Sequence, residues 1–393
     1  MSVAGEPARV LIAVTHLLGS GHLVRAAQLA RALTEAGFAV TLASGGMPLR
    51  DMAGEAFAFV QLPPVKVEGL DFRNLLDEAG SPIEAGRLAR RRAMLAALAT
   101  TLKPDVVVTE HFPFGRRQLA EEFLTLITAA KAANPSALVL ASVRDVLVTP
   151  RPDRIAEAEQ RLSCLFDGVL IHGDRSFLPL EASWPASPAL AARLHYTGYL
   201  APPSVPAPAW VGGEGTGEVV VSGGGSAAAL PLFRLSLEAA RLCDPSRRWR
   251  ILVGKGVAES DFAALRQSAS PNVTVERARA DFPALLARSA LSISQAGYNT
   301  VLDLVAAGRP AIVVPFDEGA ETEQAIRAEA MEKAGLARCL RLSGPEPARP
   351  ADLAAAVTAA LATDAPARPA IDLDGAGRVA GLLRRLLAAR ARG

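Results

Sequence analysis

Three stretches of the chain combine glycine with residue types that can handle phosphate or a sugar. The first is Gly19-Ser20-Gly21-His22-Leu23-Val24-Arg25, set between an apolar run and a helical pattern. Glycine lets backbone approach a ligand closely, and the N–H groups that open a helix favour an anion. A histidine at that positive end has a lowered pKa and can act as a neutral base near pH 7, or simply orient phosphate. The same residues would equally form a plain strand-to-helix turn with His22 as a cap. The second stretch, Gly223-Gly224-Gly225-Ser226, follows the apolar run 219–221 and opens a helix, so its amides are placed to cradle a diphosphate. No Walker lysine follows it, which argues against a P-loop ATPase. Lys255, in Gly254-Lys255-Gly256 just past another strand end, is a further cation on the same side. The third stretch, 294–324, reads as strand, turn at Gly297, helix and strand, with Thr300, Asp303, Asp317, Glu321, Glu323 and Gln324 near the strand ends. Open parallel sheets bind ligands there.

The elements that must position these residues alternate. Strands are expected at 9–14, 38–43, 105–109, 137–143, 166–171 and 194–196, with helices at 23–36, 87–98 and 119–133. Residues 48–86, with Pro63-Pro64 and many charges, read as connections and a long loop. Polar residues stand where these strands end: Glu110 and His111, Arg144 and Asp145, His172 and Asp174. Such groups can take a proton from a substrate hydroxyl, and Glu110 and Asp145 are candidates for that beside His22. His16 and His195 are read as structural. Composition then shifts at 201–217, APPSVPAPAWVGGEGTG, which reads as an interdomain linker. Strands resume at 218–222, 250–253, 273–275, 290–294 and 311–315, interleaved with helices at 227–242, 281–287, 327–334 and 350–362 and a final Arg-rich helix at 376–392. Alternation in both halves predicts an α/β protein of two doubly wound, Rossmann-like parallel sheets.

With 393 residues the chain is long enough for two ordinary domains, and half of it is hydrophobic, which fits packed cores rather than disorder. A formal net charge of +2 offers no global field for nucleic acid. The three cysteines, Cys164, Cys243 and Cys339, form neither a disulfide framework nor a metal-ligand spacing, in keeping with a reducing cytoplasm. No signal-like leader or membrane-length apolar run is evident. The Arg87–Arg92 cluster beside Leu88 and Met94 is a candidate for peripheral contact with an anionic membrane face, against a plain solvated helix face.

The pattern Gly297-x-x-Thr300-x-x-Asp303-x-x-x-x-Gly308-x-Pro310, followed by Val313-Val314-Pro315-Phe316 and an acidic stretch to Gln324, resembles the donor-site signature of glycosyltransferase family 28. Gly19, Gly21, His22 and Arg25 likewise resemble the Gly-His loop of that family and the G-x-G-H-x-x-R of a related nucleotide-sugar hydrolase, where the histidine is the proposed base. The resemblance implies a GT-B architecture: two Rossmann-like domains facing a cleft, an acceptor domain over 1–200, a linker at 201–216, a donor domain over 217–374, and a last helix, 375–393, packing back on the first domain. It implies a nucleotide-sugar donor, a UDP-sugar first of all, held by Gly19, Gly21, Arg25, Gly224, Gly225, Ser226, Lys255, Gly297, Thr300, Asp303 and Gln324. Asp303 stands where the family usually has a ribose-binding Glu, and Gln324 matches its sugar-binding Gln only with one residue inserted after Phe316. The acceptor would be a small molecule or lipid-linked. No metal or other cofactor is expected, since no DXD motif serves; Asp372-Leu373-Asp374 has the letters but lies in a loop. A hydrolase of the same fold and a non-catalytic nucleotide-sugar binder are the alternatives.

Overall fold

The computed structural model describes residues 6–17, 19–49, 52, 54–69, 73–201, 213–225, 227–319, 321–362 and 370–392. The expected donor-loop residue Ser226 and most of the expected linker, 202–212, lie outside the described residues. The first half runs β1 (Arg9–Val14), α1 (Gly21–Glu35), β2 (Ala39–Ser44), β3 (Ala58–Gln61), α2 (Ala85–Leu102), β4 (Val106–Glu110), α3 (Ala120–Ala133), β5 (Leu138–Arg144), α4 (Pro152–Leu165), β6 (Gly168–His172), α5 (Pro188–Ala191) and β7 (Leu194–Tyr196). The second runs β8 (Val219–Ser222), α6 (Leu230–Leu242), β9 (Trp249–Val253), α7 (Glu259–Gln267), β10 (Val273–Arg277), α8 (Phe282–Arg288), β11 (Leu291–Ser294), α9 (Tyr298–Ala307), β12 (Ala311–Val313), α10 (Glu323–Lys333), β13 (Arg338–Cys339), α11 (Pro350–Ala362) and α12 (Gly375–Arg390).

The central strands are buried on both faces, as in VVVTE of β4, so they read as continuous apolar runs rather than alternations. All pairings are parallel, in the orders β3-β2-β1-β4-β5-β6-β7 and β10-β9-β8-β11-β12-β13. The order in which strands are added therefore reverses between the first and fourth strands of each sheet, at β1/β4 and at β8/β11. Such a switch point leaves a crevice at the carboxyl ends of the strands. The stripe Leu23, Ala26, Ala27, Ala30 and Leu33 seats α1 on the first sheet, and Val379, Ala380 and Leu383 of α12 join that same core.

Several expectations needed correction. The segment 48–86 is not all loop: β3 pairs with β2 at the sheet edge. Helices α4 and α7 add to the expected elements; each buries two side chains, Ala158 with Leu162 and Phe262 with Leu265. Helix α10 starts at Glu323 rather than at 327, which brings Gln324 into its first turn. In the Arg87–Arg92 cluster, two of the four arginines are committed to the protein. Arg91 is buried in a bidentate pair with Glu122, and Arg87 bonds Glu78 and the Pro64 carbonyl. Arg90 alone of the four arginines is fully exposed.

The chain crosses between the halves at Tyr199–Leu200 and returns before α12. Tyr199 N–H donates to the Asp372 carbonyl (2.8 Å) and Gly375 N–H to the Tyr199 carbonyl (3.0 Å). A Cβ on Gly198 would sit 2.8 Å from Asp372 Cγ, so only glycine lets the strands of this double crossing touch. Asp372 also pairs with Arg378, which fixes the Asp372-Leu373-Asp374 segment as part of the crossing.

Candidate active site at the domain interface

The first domain's switch point places the β1–α1 turn beside the end of β4. His22, in the first turn of α1, sets its Nδ1 2.9 Å from Glu110 Oε1. Glu110 is buried and also accepts from Ser142 Oγ (2.6 Å) and from the Arg25 guanidinium. Arg25 lies one helical turn beyond His22, with Nη2 3.1 Å from its Nδ1, and its guanidinium lies over the Tyr298 ring of the second domain, 5.3 Å from the centroid. Glu110 therefore sits behind His22, oriented to hold the ring rather than to meet an acceptor itself. Burial, reinforced by Arg116, Arg25 and Arg144, holds the His22 pKa well below the usual histidine range, so the ring is neutral near pH 7. His111 packs against it, ring centroids 5.0 Å apart, and is held neutral by the same causes.

Asp145 takes a different part from the one its strand-end position suggested. Its Oδ1 accepts from Val146 N–H (2.8 Å) and Arg327 Nη2 (2.7 Å), and its Oδ2 accepts from Tyr199 Oη (2.8 Å) and Arg327 Nε (2.9 Å). Four donors occupy both oxygens, which leaves no lone pair for an acceptor proton. Arg327 is fully buried and donates its remaining nitrogen, Nη1, to the Ala296 carbonyl (2.7 Å). Next to this pair, Arg144 bonds Glu323 (2.6 Å) across the same interface.

Sequence reasoning missed Arg116. It stands in left-handed backbone (φ 61) at the end of the segment His111-Phe112-Pro113-Phe114-Gly115-Arg116, bonded through Nε to the Thr15 carbonyl (2.6 Å). Burial lowers its pKa to about 10, yet it stays charged at neutral pH beside His22. The Pro- and Gly-containing run after a strand was a legible loop signal; the placement of its arginine was not.

The second domain's switch point is built mostly of backbone. Gly224 (φ 66) and Gly225 follow β8, and the turn after β9 packs directly on them: a Cβ on Gly254 would lie 2.2 Å from the Gly224 carbonyl oxygen. A Cβ on Gly224 or Gly225, like one on Gly19 or Gly21 across the cleft, would meet nothing within 4 Å. These four glycines thus border open space rather than protein. Lys255 is exposed in that second turn. Gly297 caps the N-terminus of α9, and Thr300 lies in its first turn. Asp303, a turn further, is half-buried, and burial alone pushes its pKa up to about 6. Gln324 Oε1 accepts from Ala296 N–H (3.2 Å) and Phe316 N–H (3.0 Å), which ties the turns after β11 and β12 together. Its amide nitrogen is the group left for a ligand. Among the described residues no group of three His, Cys, Asp or Glu is placed to hold a metal ion.

Two Rossmann-type domains with facing switch points define the GT-B class of nucleotide-sugar glycosyltransferases. Residues 219–368 match the glycosyltransferase family 28 C-terminal domain. A Rhodospirillum centenum protein named UDP-N-acetylglucosamine–N-acetylmuramyl-(pentapeptide) pyrophosphoryl-undecaprenol N-acetylglucosamine transferase is 30% identical over 378 residues, 93% of this chain and 90% of the relative. A Rhodopseudomonas palustris protein of the same name is 29% identical over 403 residues, 96% of each chain. The crystal structure of Acinetobacter baumannii MurG shares the fold at TM-score 0.62 and 18% identity, covering 96% of this chain and 100% of that one. The chain belongs to glycosyltransferase family 28 and is a glycosyltransferase. Named transferases among its relatives leave the hydrolase alternative unfavoured.

Proposed function

We propose that the chain transfers N-acetylglucosamine from UDP-N-acetylglucosamine to a lipid-linked diphosphate acceptor, with inversion and with His22 as general base. The observation that carries the reading is the His22–Glu110 pair: a neutral imidazole at a helix N-terminus, held by a buried carboxylate 2.9 Å away at the mouth of the acceptor side. His22 Nε2 takes the proton of the acceptor hydroxyl as its oxygen bonds to the anomeric carbon, and UDP leaves with the electrons of the old C–O bond. Glu110 then faces the imidazolium and stabilises it. The leaving diphosphate meets the N-terminus of α9 and the glycine loop at Gly224 and Gly225, with Arg25 and Arg116 adding positive charge where a metal would otherwise serve. Thr300 and Asp303 take the ribose, and the Gln324 amide nitrogen takes the sugar. A relative's name supplies the sugar and the acceptor class. A lipid-anchored acceptor would bring the protein to the cytoplasmic face of a membrane as a peripheral enzyme. Among the described residues no helix is long and apolar enough to cross one.

The test is transfer of radiolabelled N-acetylglucosamine from its UDP donor to a detergent-solubilised, lipid-linked muropeptide diphosphate, with and without EDTA. The expected result is labelled lipid at an EDTA-independent rate. Stabilisation by UDP without labelled lipid would overturn the acceptor, whereas no thermal stabilisation by UDP or its sugars would overturn the donor site.

A further inference from the structure

We infer that Ser142, His172 and Thr197 form a one-way chain of hydrogen-bond donors that fixes the proton of His22 on Nδ1 and keeps its Nε2 as the basic nitrogen. They are positioning residues, and the inference rests on the reading of His22 as base. The chain crosses the first sheet at the carboxyl ends of neighbouring strands: Thr197 after β7, His172 on β6, Ser142 on β5 and Glu110 on β4. A carboxylate can only accept, so the Ser142 hydroxyl, 2.6 Å from Glu110 Oε2, points its proton there. That leaves Ser142 Oγ as acceptor toward His172 Nε2 at 3.1 Å, so Nε2 carries hydrogen. His172 is fully buried, and a neutral ring has only one N–H. Its Nδ1 is then left to accept from the Thr197 hydroxyl at 2.9 Å, a proton for which the Gly198 carbonyl (2.9 Å) and the Ile171 carbonyl (3.2 Å) compete. At the other end, Glu110 Oε1, which also accepts from the Arg25 guanidinium, takes a hydrogen from His22 Nδ1 at 2.9 Å.

The direction matters because the site holds a competitor. Arg25 Nη2 lies 3.1 Å from the same Nδ1 and, being donor only, would select the opposite tautomer, with Nδ1 bare and the hydrogen on Nε2. That form has no lone pair for an acceptor hydroxyl. Ser142 holds Oε2, which leaves Oε1 turned to Nδ1, and so the chain behind Glu110 decides between the two tautomers. A merely structural role for Ser142 and His172 would fill their own hydrogen bonds and leave His22 indifferent to their loss.

The experiment uses the full chain without ligand, labelled with ¹⁵N in its five histidines, at neutral pH. The His22 ring is expected to show a protonated Nδ1 and a bare Nε2. Ser142→Ala should mix the tautomers, Ser142→Thr should preserve the wild-type signature, and His172→Leu is the second route should Ser142→Ala fold poorly. In the transfer assay Ser142→Ala should lower kcat about tenfold or more with KM for UDP-N-acetylglucosamine unchanged, and Ser142→Thr should restore it. A bare Nδ1 in the wild type, or a His22 signature unmoved in both Ser142→Ala and His172→Leu, overturns the inference. Full turnover by His22→Ala would instead remove the base reading, while the tautomer measurement still judges the donor chain on its own.

Discussion

The two walls of the cleft are made of different material. On the first domain, one buried carboxylate gathers a histidine and an arginine of α1 and a serine of β5, with Arg116 and Arg144 close by. On the second, glycine loops and the start of α9 offer backbone N–H groups, and side chains are sparse: Thr300, the half-buried Asp303 and one amide of Gln324. A diphosphate has the same shape in every donor, so backbone amides and helix ends suffice to recognise it. Moving a proton requires a side chain of set pKa and set tautomer, which needs support from behind. On the proposed reading, the first wall reacts and the second holds.

That contrast predicts opposite outcomes for loss of each wall's central residue. His22→Ala should cut kcat by about 10²–10⁴-fold, the range for a positioned general base, while leaving UDP affinity within about twofold. Transfer kinetics with UDP titration in parallel decide it. A variant that lost UDP binding as severely as turnover would show that His22 holds the donor phosphate instead.

Breaking the seam between the walls should come next in size. Arg327 and Asp145 form a buried bidentate pair, and removal of one partner strands a charge in a dry site. Arg327→Ala or Asp145→Ala should cost about 3–5 kcal/mol in unfolding, read from denaturant or thermal melts. The double variant Arg327→Met with Asp145→Leu should recover most of that loss, because it leaves no unpaired charge. A single variant with an unchanged melt would mean that the domains part easily without the pair.

The same contrast governs what could be read before the structure. Glycine loops are local, so Gly19, Gly21, Gly224, Gly225 and Gly297 are candidates from short motifs and the family resemblance those motifs carry, and the strand-helix alternation follows from apolar period. The reacting wall is not local. Glu110 and Ser142 are 32 residues apart, and Asp145 and Arg327 are 182 apart. Each looked like a polar residue at a strand end or on a helix, and nothing in the chain told an interdomain anchor from a base. Arg327 was passed over as one of many arginines, since its burial is a property of the closed seam.

Acid should act mainly on the first wall. Burial lowers the pKa values of His22, His111 and His172, to about 3 for His172, from 6.5 in an unfolded chain. Between those values the unfolded state binds more protons, so stability is full above pH 6.5 and falls as pH drops. The expected slope is up to about 1.4 kcal/mol per pH unit for each such histidine. His172→Gln should flatten the curve by one of these steps in melts taken across that window. A slope equal to wild type would mean that His172 titrates normally.

The smallest and sharpest effect belongs to the second wall. Asp303 has its pKa pushed up to about 6 by burial, the reverse of the histidines, and among the described residues no partner stabilises its charge. A carboxylate left desolvated is better satisfied when hydroxyls donate to it, and a ribose diol supplies two. Donor affinity should therefore be full above about pH 6 and weaken below it, as protonation of Asp303 removes the charged acceptor. Asp303→Asn should weaken UDP binding about tenfold at pH 7.5, roughly 1.4 kcal/mol. The nucleotide's own phosphate also titrates, so the telling quantity is the difference between wild type and Asp303→Asn across pH. That difference should vanish below pH 6 if the carboxylate binds ribose. Asp303→Glu, the residue more usual at this position in the family, should bind at least as tightly as wild type. A difference that stays constant with pH would instead place Asp303 outside the ribose contact and leave recognition of the donor to backbone alone.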